Sequence, residues 1–257
     1  MQTLHKQFFL FLSLLFTFSQ TLFSQKDNDK LFLVREEVVK VDQWDKYEST
    51  SKQWLEFMTN GGLNLPYISA TQRDDGHYYY LIPLNAYSEI DNLSKIFGAA
   101  IEKAGPDKYK SLMAENEGSI LTHRDYVLRY SSEYSYVPKE PRLKMEDARF
   151  THFTFFKFKL EKRNELLGVL REWKSLFESK NINSGYNIWM VELGLDNDLM
   201  ILTEYFKDGE DYYKTVKEIE SKIKEEEKSL WAKMSLLLTE IEQKYGWIRP
   251  DLSYTKK

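Results

Sequence analysis

Gln43-Trp44-Asp45-Lys46-Tyr47-Glu48-Ser49-Thr50-Ser51-Lys52-Gln53-Trp54-Leu55-Glu56-Phe57-Met58-Thr59-Asn60 and Asn164-Glu165-Leu166-Leu167-Gly168-Val169-Leu170-Arg171-Glu172-Trp173-Lys174-Ser175-Leu176-Phe177-Glu178-Ser179-Lys180 are the two stretches whose reading decides the fold. The first carries Trp44, Tyr47, Trp54, Leu55 and Met58 at helical spacing. The second carries Leu167, Leu170, Trp173, Leu176 and Phe177 in the same way. Residues three, four and seven apart share one face of an α-helix, so each stretch predicts a helix with an apolar stripe. Trp54 and Trp173 stand 119 residues apart, and laying one on the other divides the chain into two similar halves.

Before the first helix, Leu31–Val41 is β-branched and partly alternating, which predicts a strand. Gly61-Gly62 ends the helix as a C-cap. Tyr67–Gln72 and His77–Leu84 flank Arg73-Asp74-Asp75-Gly76, a hairpin signal. Pro83 marks the second of these runs as an edge or an ending strand. Asn92–Lys103 reads as a short amphipathic helix stopped by Gly105-Pro106, Asp107–Thr122 as a further helix, and Tyr126–Val137 as a closing strand.

The second half repeats that order. Phe150–Leu160 is an aromatic strand whose Phe153 and Phe155 face one way and Phe156, Phe158 and Leu160 the other. The Trp173 helix follows, then a hairpin of Tyr186–Leu193 and Leu199–Phe206. Asp211–Lys244 reads as one bent helix or two, and Trp247–Tyr254 as a last strand. The halves also close alike: Ser135-Tyr136 and Ser253-Tyr254 stand 118 residues apart.

Strand, helix, hairpin, helical region, strand, twice over, is an α+β chain of two ferredoxin-like βαββαβ repeats. This order resembles the dimeric α/β-barrel superfamily, whose members pack two such units sheet to sheet and close a barrel. Here both units share one polypeptide, as a fused pseudo-dimer running from Leu31 to Tyr254. The expected organisation is a signal peptide at 1–25, a first repeat at 31–137, a linker at 138–149 and a second repeat at 150–254. A sheet apolar on both faces needs the second cover that such pairing supplies. Arg35, Glu36 and Glu37 interrupt the first strand, which places them in a wetter part of the barrel or on a frayed edge.

Composition bounds the rest. The chain has 257 residues, 42% of them hydrophobic and 15% aromatic, enough to bury a sizeable core. A net charge of −4 without a basic block argues against nucleic acid as a partner. There is no cysteine, which excludes disulfides, thiolate metal sites and a cysteine nucleophile. His5 and Lys6 precede the apolar run Phe8–Phe18, and a polar segment follows, the pattern of an export signal. No second long apolar run exists, so the expectation is a periplasmic or extracellular protein with no membrane span after cleavage.

No residue set specifies a reaction or a metal site. The acidic pairs at Asp74-Asp75 and Asp196/Asp198 lack calcium-loop grammar and suit solvated turns. The superfamily includes cofactor-free monooxygenases, haem-degrading and haem-peroxidase enzymes, and proteins of no assigned activity. The resemblance implies a pocket between sheet and helices, with His77, Tyr78, Tyr80, His152, Trp189 and Tyr205 as its candidate liners. Aromatic residues on strands serve equally as core packing. Should a histidine hold haem, His152 in the most apolar strand is the choice, His123 lying near a helix end.

The leading expectation is therefore an exported, non-catalytic protein without cofactor. It would bind a small apolar or aromatic ligand, or a protein partner. The alternative is a monooxygenase-like or haem-dependent oxidoreductase of the dimeric α/β-barrel type. Oligomeric state is left open.

Overall fold

The computed structural model describes residues 29–256. The export-signal reading of residues 1–25 lies outside the described residues. Among those described, no helix is long and apolar enough to cross a membrane.

The first unit contains strand β1 (Lys30–Val39), helix α1 (Trp44–Asn60), and the hairpin β2 (Tyr67–Arg73) and β3 (His77–Leu84). Helices α2 (Ile90–Ala104) and α3 (Pro106–Asn116) and strand β4 (Ile120–Tyr130) complete it. The second unit contains β5 (Phe150–Phe158), α4 (Arg163–Ser179), β6 (Tyr186–Leu193), β7 (Leu199–Phe206), α5 (Gly209–Ser235) and β8 (Leu238–Ile248). A short β9 (Tyr254–Thr255) ends the chain. Within the first unit the strands lie in the order β4-β1-β3-β2, and within the second β8-β5-β7-β6. This shared order is the ferredoxin-like arrangement.

The two sheets join through their edges. β4 pairs antiparallel with β6 over Val127–Tyr130, and β2 pairs with β8 over Thr71–Arg73. With β2–β3 closing the ring, eight antiparallel strands form a barrel with helices outside. Its interior is a shared core. Phe32, Val34, Tyr79, Tyr126 and Leu128 from the first unit meet Trp189, Val191 and Ile201 from the second. Phe32 meets Trp189 edge-on at 5.4 Å, and Tyr79 lies 5.9 Å from Phe153. Phe156 and Phe158, on the opposite face of β5, pack under α4 and α5. Each apolar sheet face thus has its own cover, as the alternation in β5 requires.

The repeated Ser-Tyr pair turns out to be a reciprocal latch. After β4, Ser135 accepts the Ile188 amide through Oγ at 2.8 Å, and the Tyr136 hydroxyl donates to the Ile182 carbonyl at 2.7 Å. After β8, Ser253 Oγ accepts the Ala70 amide at 2.9 Å, and the Tyr254 hydroxyl donates to the Leu63 carbonyl. Each unit's closing segment therefore grips the other unit at the same two places, the tyrosine just past the end of its first helix and the serine on its second strand. Both tyrosines are buried, so losing either bond would strand a polar group away from water.

Three local readings need correction. α3 stops at Asn116, and Ile120 begins β4, because Gly118 turns the backbone at φ +78°. His123 is therefore a strand residue rather than a helix-end residue. α5 is one helix ending at Ser235, and Leu238–Ile248 is strand β8, so Leu238 and Ile241 leave the helical stripe. Both fourth strands are misread at their starts, and for one reason. Their first halves pair only with the neighbouring first strand of their own unit, since β6 and β2 join them only further along. Such free edges carry charges that prevent further pairing, and here those charges imitate a helix surface. Third, β1 lies between β3 and β4, so Arg35, Glu36 and Glu37 are not on a frayed edge.

Candidate functional site

A cavity of about 890 Å³ lies in the first unit between the sheet and α1, α2 and α3. Its floor follows from strand register. Pairing sets Ile82, Leu33 and Val127 in one row across β3, β1 and β4. The next row is Tyr80, Arg35 and Asp125, and the one after is Tyr78, Glu37 and His123. The floor thus grades from apolar to charged along β1. Overhead, α1 supplies Tyr47, Ser51 and Trp54, α2 supplies Leu93, Phe97 and Ile101, and α3 supplies Tyr109 and Met113. Trp54 and Phe97 stand 6.1 Å apart, an aromatic wall.

The second unit fills the same space. There α5 runs unbroken for 27 residues and sets Trp231 against Trp173 at 6.1 Å and against Phe156 at 6.4 Å. In the first unit the corresponding helical stretch breaks at Gly105, φ +111°, and Pro106, so two shorter helices roof the sheet. Trp54 and Trp173 hold matching positions, but only the second has a tryptophan packed over it.

The polar end of the cavity is a connected cluster. Tyr47 donates its hydroxyl to Glu37 Oε2 at 2.5 Å, and its oxygen lies 2.8 Å from the Tyr80 hydroxyl. Burial pushes both phenols well above their ordinary pKa, so both are donors rather than anions at neutral pH. Beside them Arg35 holds Asp125 in a bidentate pair at 2.9 and 2.8 Å. That hydrogen bonding keeps the Asp125 carboxyl below the usual carboxylate range. The pair is half-exposed, so it contributes little to stability, about 0–1 kcal/mol.

The six candidate liners are dispersed. Tyr80 lines the cavity. Tyr78 lies behind it, its ring 4.6 Å from Tyr47 and tilted 52° to it, with its hydroxyl on Glu48. His77 faces the barrel interior and bonds Glu36 at 2.6 Å, in a second, charged hollow of about 530 Å³ at the barrel mouth. Trp189 and Tyr205 also point into the barrel, both bonded to Thr203 Oγ1. His152 is buried in the second unit, its Nδ1 3.0 Å from Glu204 and its ring against Tyr212 and Tyr245. The alternating side-chain directions of β3, β5 and β7 separate these residues. Glu37, Tyr47, Arg35, Asp125 and Trp54 are the functional candidates that were missed. The charged pair Arg35 and Glu37, two apart in an apolar strand, was the available signal, since both must face the same side.

Haem, which the resemblance implies for some members, does not fit this cavity. The imidazole in its floor rows, His123, is exposed on β4 and does not line the cavity, and no thiolate is present. Of the cavity's phenols, Tyr47 and Tyr80 are protonated and bonded to each other, Tyr47 also to Glu37, and the Tyr109 ring stacks on Phe57. The buried Nε2 of His152 has no partner, but it belongs to the packed second unit. Among the described residues, no group of three or more histidine, cysteine or acidic side chains is placed to hold a metal ion.

No protein-family model matches the chain, and no curated protein does. Solved structures do. A monooxygenase candidate from Lactobacillus acidophilus aligns over 88% of this chain and 96% of its own, with TM-score 0.53 and 9% identity. An anthrone oxidase-like protein aligns over 85% and 91%, with TM-score 0.57 and 10% identity. A mutant chlorite dismutase from Candidatus Nitrospira defluvii aligns over 86% and 92%, with TM-score 0.50 and 11% identity. Identities this low speak to fold alone. On its closed eight-stranded barrel and these likenesses, the chain has the dimeric α/β-barrel fold, with both ferredoxin-like units on one polypeptide.

Proposed function

We propose that the first unit is a cofactor-free oxygenase pocket for a planar, mostly apolar aromatic molecule bearing an acidic C–H or O–H group. The observation that carries this reading is the 890 Å³ cavity, apolar along most of its length and closed at one end by Glu37, Tyr47 and Tyr80. Its size falls within the range of small-molecule sites. Aromatic walls favour a flat ligand, and neutral phenols, which can give or accept a hydrogen bond, favour a hydroxyl substituent at the polar end. The likeness to an anthrone oxidase-like protein supports an anthrone-type methylene as the model substrate. In the overall change, the methylene loses two hydrogens and gains one atom of O₂, and the other oxygen atom leaves as water. The four electrons released by carbon reduce O₂ completely, so no further reductant enters.

The test is anthrone in air-saturated buffer, with O₂ uptake and anthraquinone formation followed against a protein-free blank. Binding of anthraquinone itself is measured by calorimetry. Uptake above the blank, together with binding that Ser51→Phe abolishes by filling the polar end, agrees with the proposal. Binding without uptake leaves a non-catalytic carrier, the second reading, which the same cavity supports. No binding of either compound overturns both. We further propose that the chain acts outside the cytoplasm, on the signal-like residues 1–25; amino-terminal sequencing of the mature protein tests this.

A further inference from the structure

We infer that Tyr80, Tyr47 and Glu37 form a proton relay that takes a proton from the bound ligand to the Glu37 carboxylate. This rests on the cavity being the ligand site. Tyr80 and Glu37 sit in adjacent rows of the sheet, on neighbouring strands, and Tyr47 reaches down from α1 to bridge them. With Glu37 ionised, the direction of the chain is set. Glu37 can only accept, so Tyr47 donates to it, and Tyr80 donates to the oxygen of Tyr47. The Tyr80 oxygen, beside the Ser51 hydroxyl that also hydrogen-bonds it, then keeps a lone pair for the cavity that both residues line. The chain therefore ends in an acceptor at the ligand, although each phenol by itself is a donor.

The step balances. The ligand O–H or acidic C–H bond breaks as its proton joins the Tyr80 oxygen. The Tyr80 proton passes to Tyr47, and the Tyr47 proton to Glu37. Three bonds to hydrogen break and three form, and the single negative charge moves from Glu37 to the ligand. Afterwards every hydroxyl points the other way, and Tyr80 donates to the new ligand anion. One cluster thus removes the proton and then holds the charge it has created. Asp125 cannot substitute, because both its oxygens are engaged by Arg35. Burial keeps the two phenols neutral, so neither traps the charge midway. Tyr80 is the residue that touches the ligand; Tyr47 and Glu37 act through it as positioning residues.

The test uses two probes on the full chain. Anthraquinone has no proton to give. Alizarin, a hydroxyanthraquinone, shifts its visible band to the red on ionisation. In the wild type at a pH where free alizarin is mainly neutral, bound alizarin should show the ionised band. In Glu37→Gln and in Tyr47→Phe it should stay neutral, and alizarin affinity should fall at least tenfold further than anthraquinone affinity does. Glu37→Asp should restore part of the ionised band. If alizarin ionises equally in wild type and Glu37→Gln, or binds neutral to the wild type while anthraquinone binds, the relay is refuted and the cavity stands. If the variants lose anthraquinone as severely as alizarin, the cluster is structural and the relay is refuted. If neither probe binds the wild type, the pocket itself is refuted and the relay with it.

Discussion

Gly246→Ala tests the closure of the barrel at its weaker join. Gly246 sits on β8 opposite Arg73, at the short seam between β8 and β2. A Cβ there would lie 2.2 Å from the Gln72 carbonyl oxygen and 3.0 Å from the Phe153 ring. Ordinary carbon–oxygen contacts between strands are about 3.3–3.6 Å. The strands must therefore part by about 1 Å, and neither side of the collision is the end of a flexible side chain. Two backbone hydrogen bonds bracket the position: Asp74 N to Tyr245 O and Arg249 N to Ala70 O, both 2.9 Å. Lengthened by that much they are lost, at about 0.5–1.5 kcal/mol each. Overpacking adds about 1–3 kcal/mol. The expected destabilisation is about 3 kcal/mol, or a fall in Tm of roughly 10 °C for a chain of this size.

Gly168→Ala is the control. It lies within α4, and a Cβ there meets nothing within 4 Å. It should stabilise by about 0.5–1 kcal/mol, since alanine loses less backbone freedom in a helix. Urea unfolding at neutral pH measures both variants. A Gly246→Ala protein as stable as the wild type would refute the seam as drawn.

Tyr136→Phe and Tyr254→Phe should each cost about 1 kcal/mol by unpairing a buried carbonyl, and the losses should add in the double variant because the latches are far apart. Non-additive losses in the same urea assay would contradict two separate latches. Stability should also fall in acid through the Arg249 cluster. Arg249 bonds Glu48 at 2.5 and 2.6 Å and Asp251 at 2.9 and 2.8 Å, and chiefly for that reason both carboxyls lie below their ordinary range. A depressed folded value means the unfolded chain binds the proton more readily. The stability so gained is complete above about pH 5 and is lost as pH falls through the folded values. Arg249→Gln should flatten that part of the pH profile, and an unchanged slope would count against the cluster.

The architecture was legible because it rests on burial. Trp54 and Trp173 had to lie on a sheet, the aromatic faces of β5 needed two covers, and the Ser-Tyr pairs ended both halves. Alternation placed Phe153 apart from Phe156 without coordinates. The starts of the fourth strands were not legible, since a free edge lined with Glu240, Glu242 and Lys244 has the charge pattern of a helix surface. The site was mostly hidden for another reason. Tyr80 could be named from its strand, but its partner Tyr47 lies on the stripe of α1, where a tyrosine reads as core. Only the register of β1 against β3 sets Glu37 beneath it. Nor does the sequence reveal that Gly105-Pro106 opens one unit while continuous α5 fills the other.

The most direct measurement is a crystal structure of the protein soaked with anthraquinone. The ligand is predicted between α1, α2 and the β1–β3 floor, its ring against Trp54 and Phe97. Ligand at the barrel mouth beside His77, or under α5 in the second unit, would contradict the account.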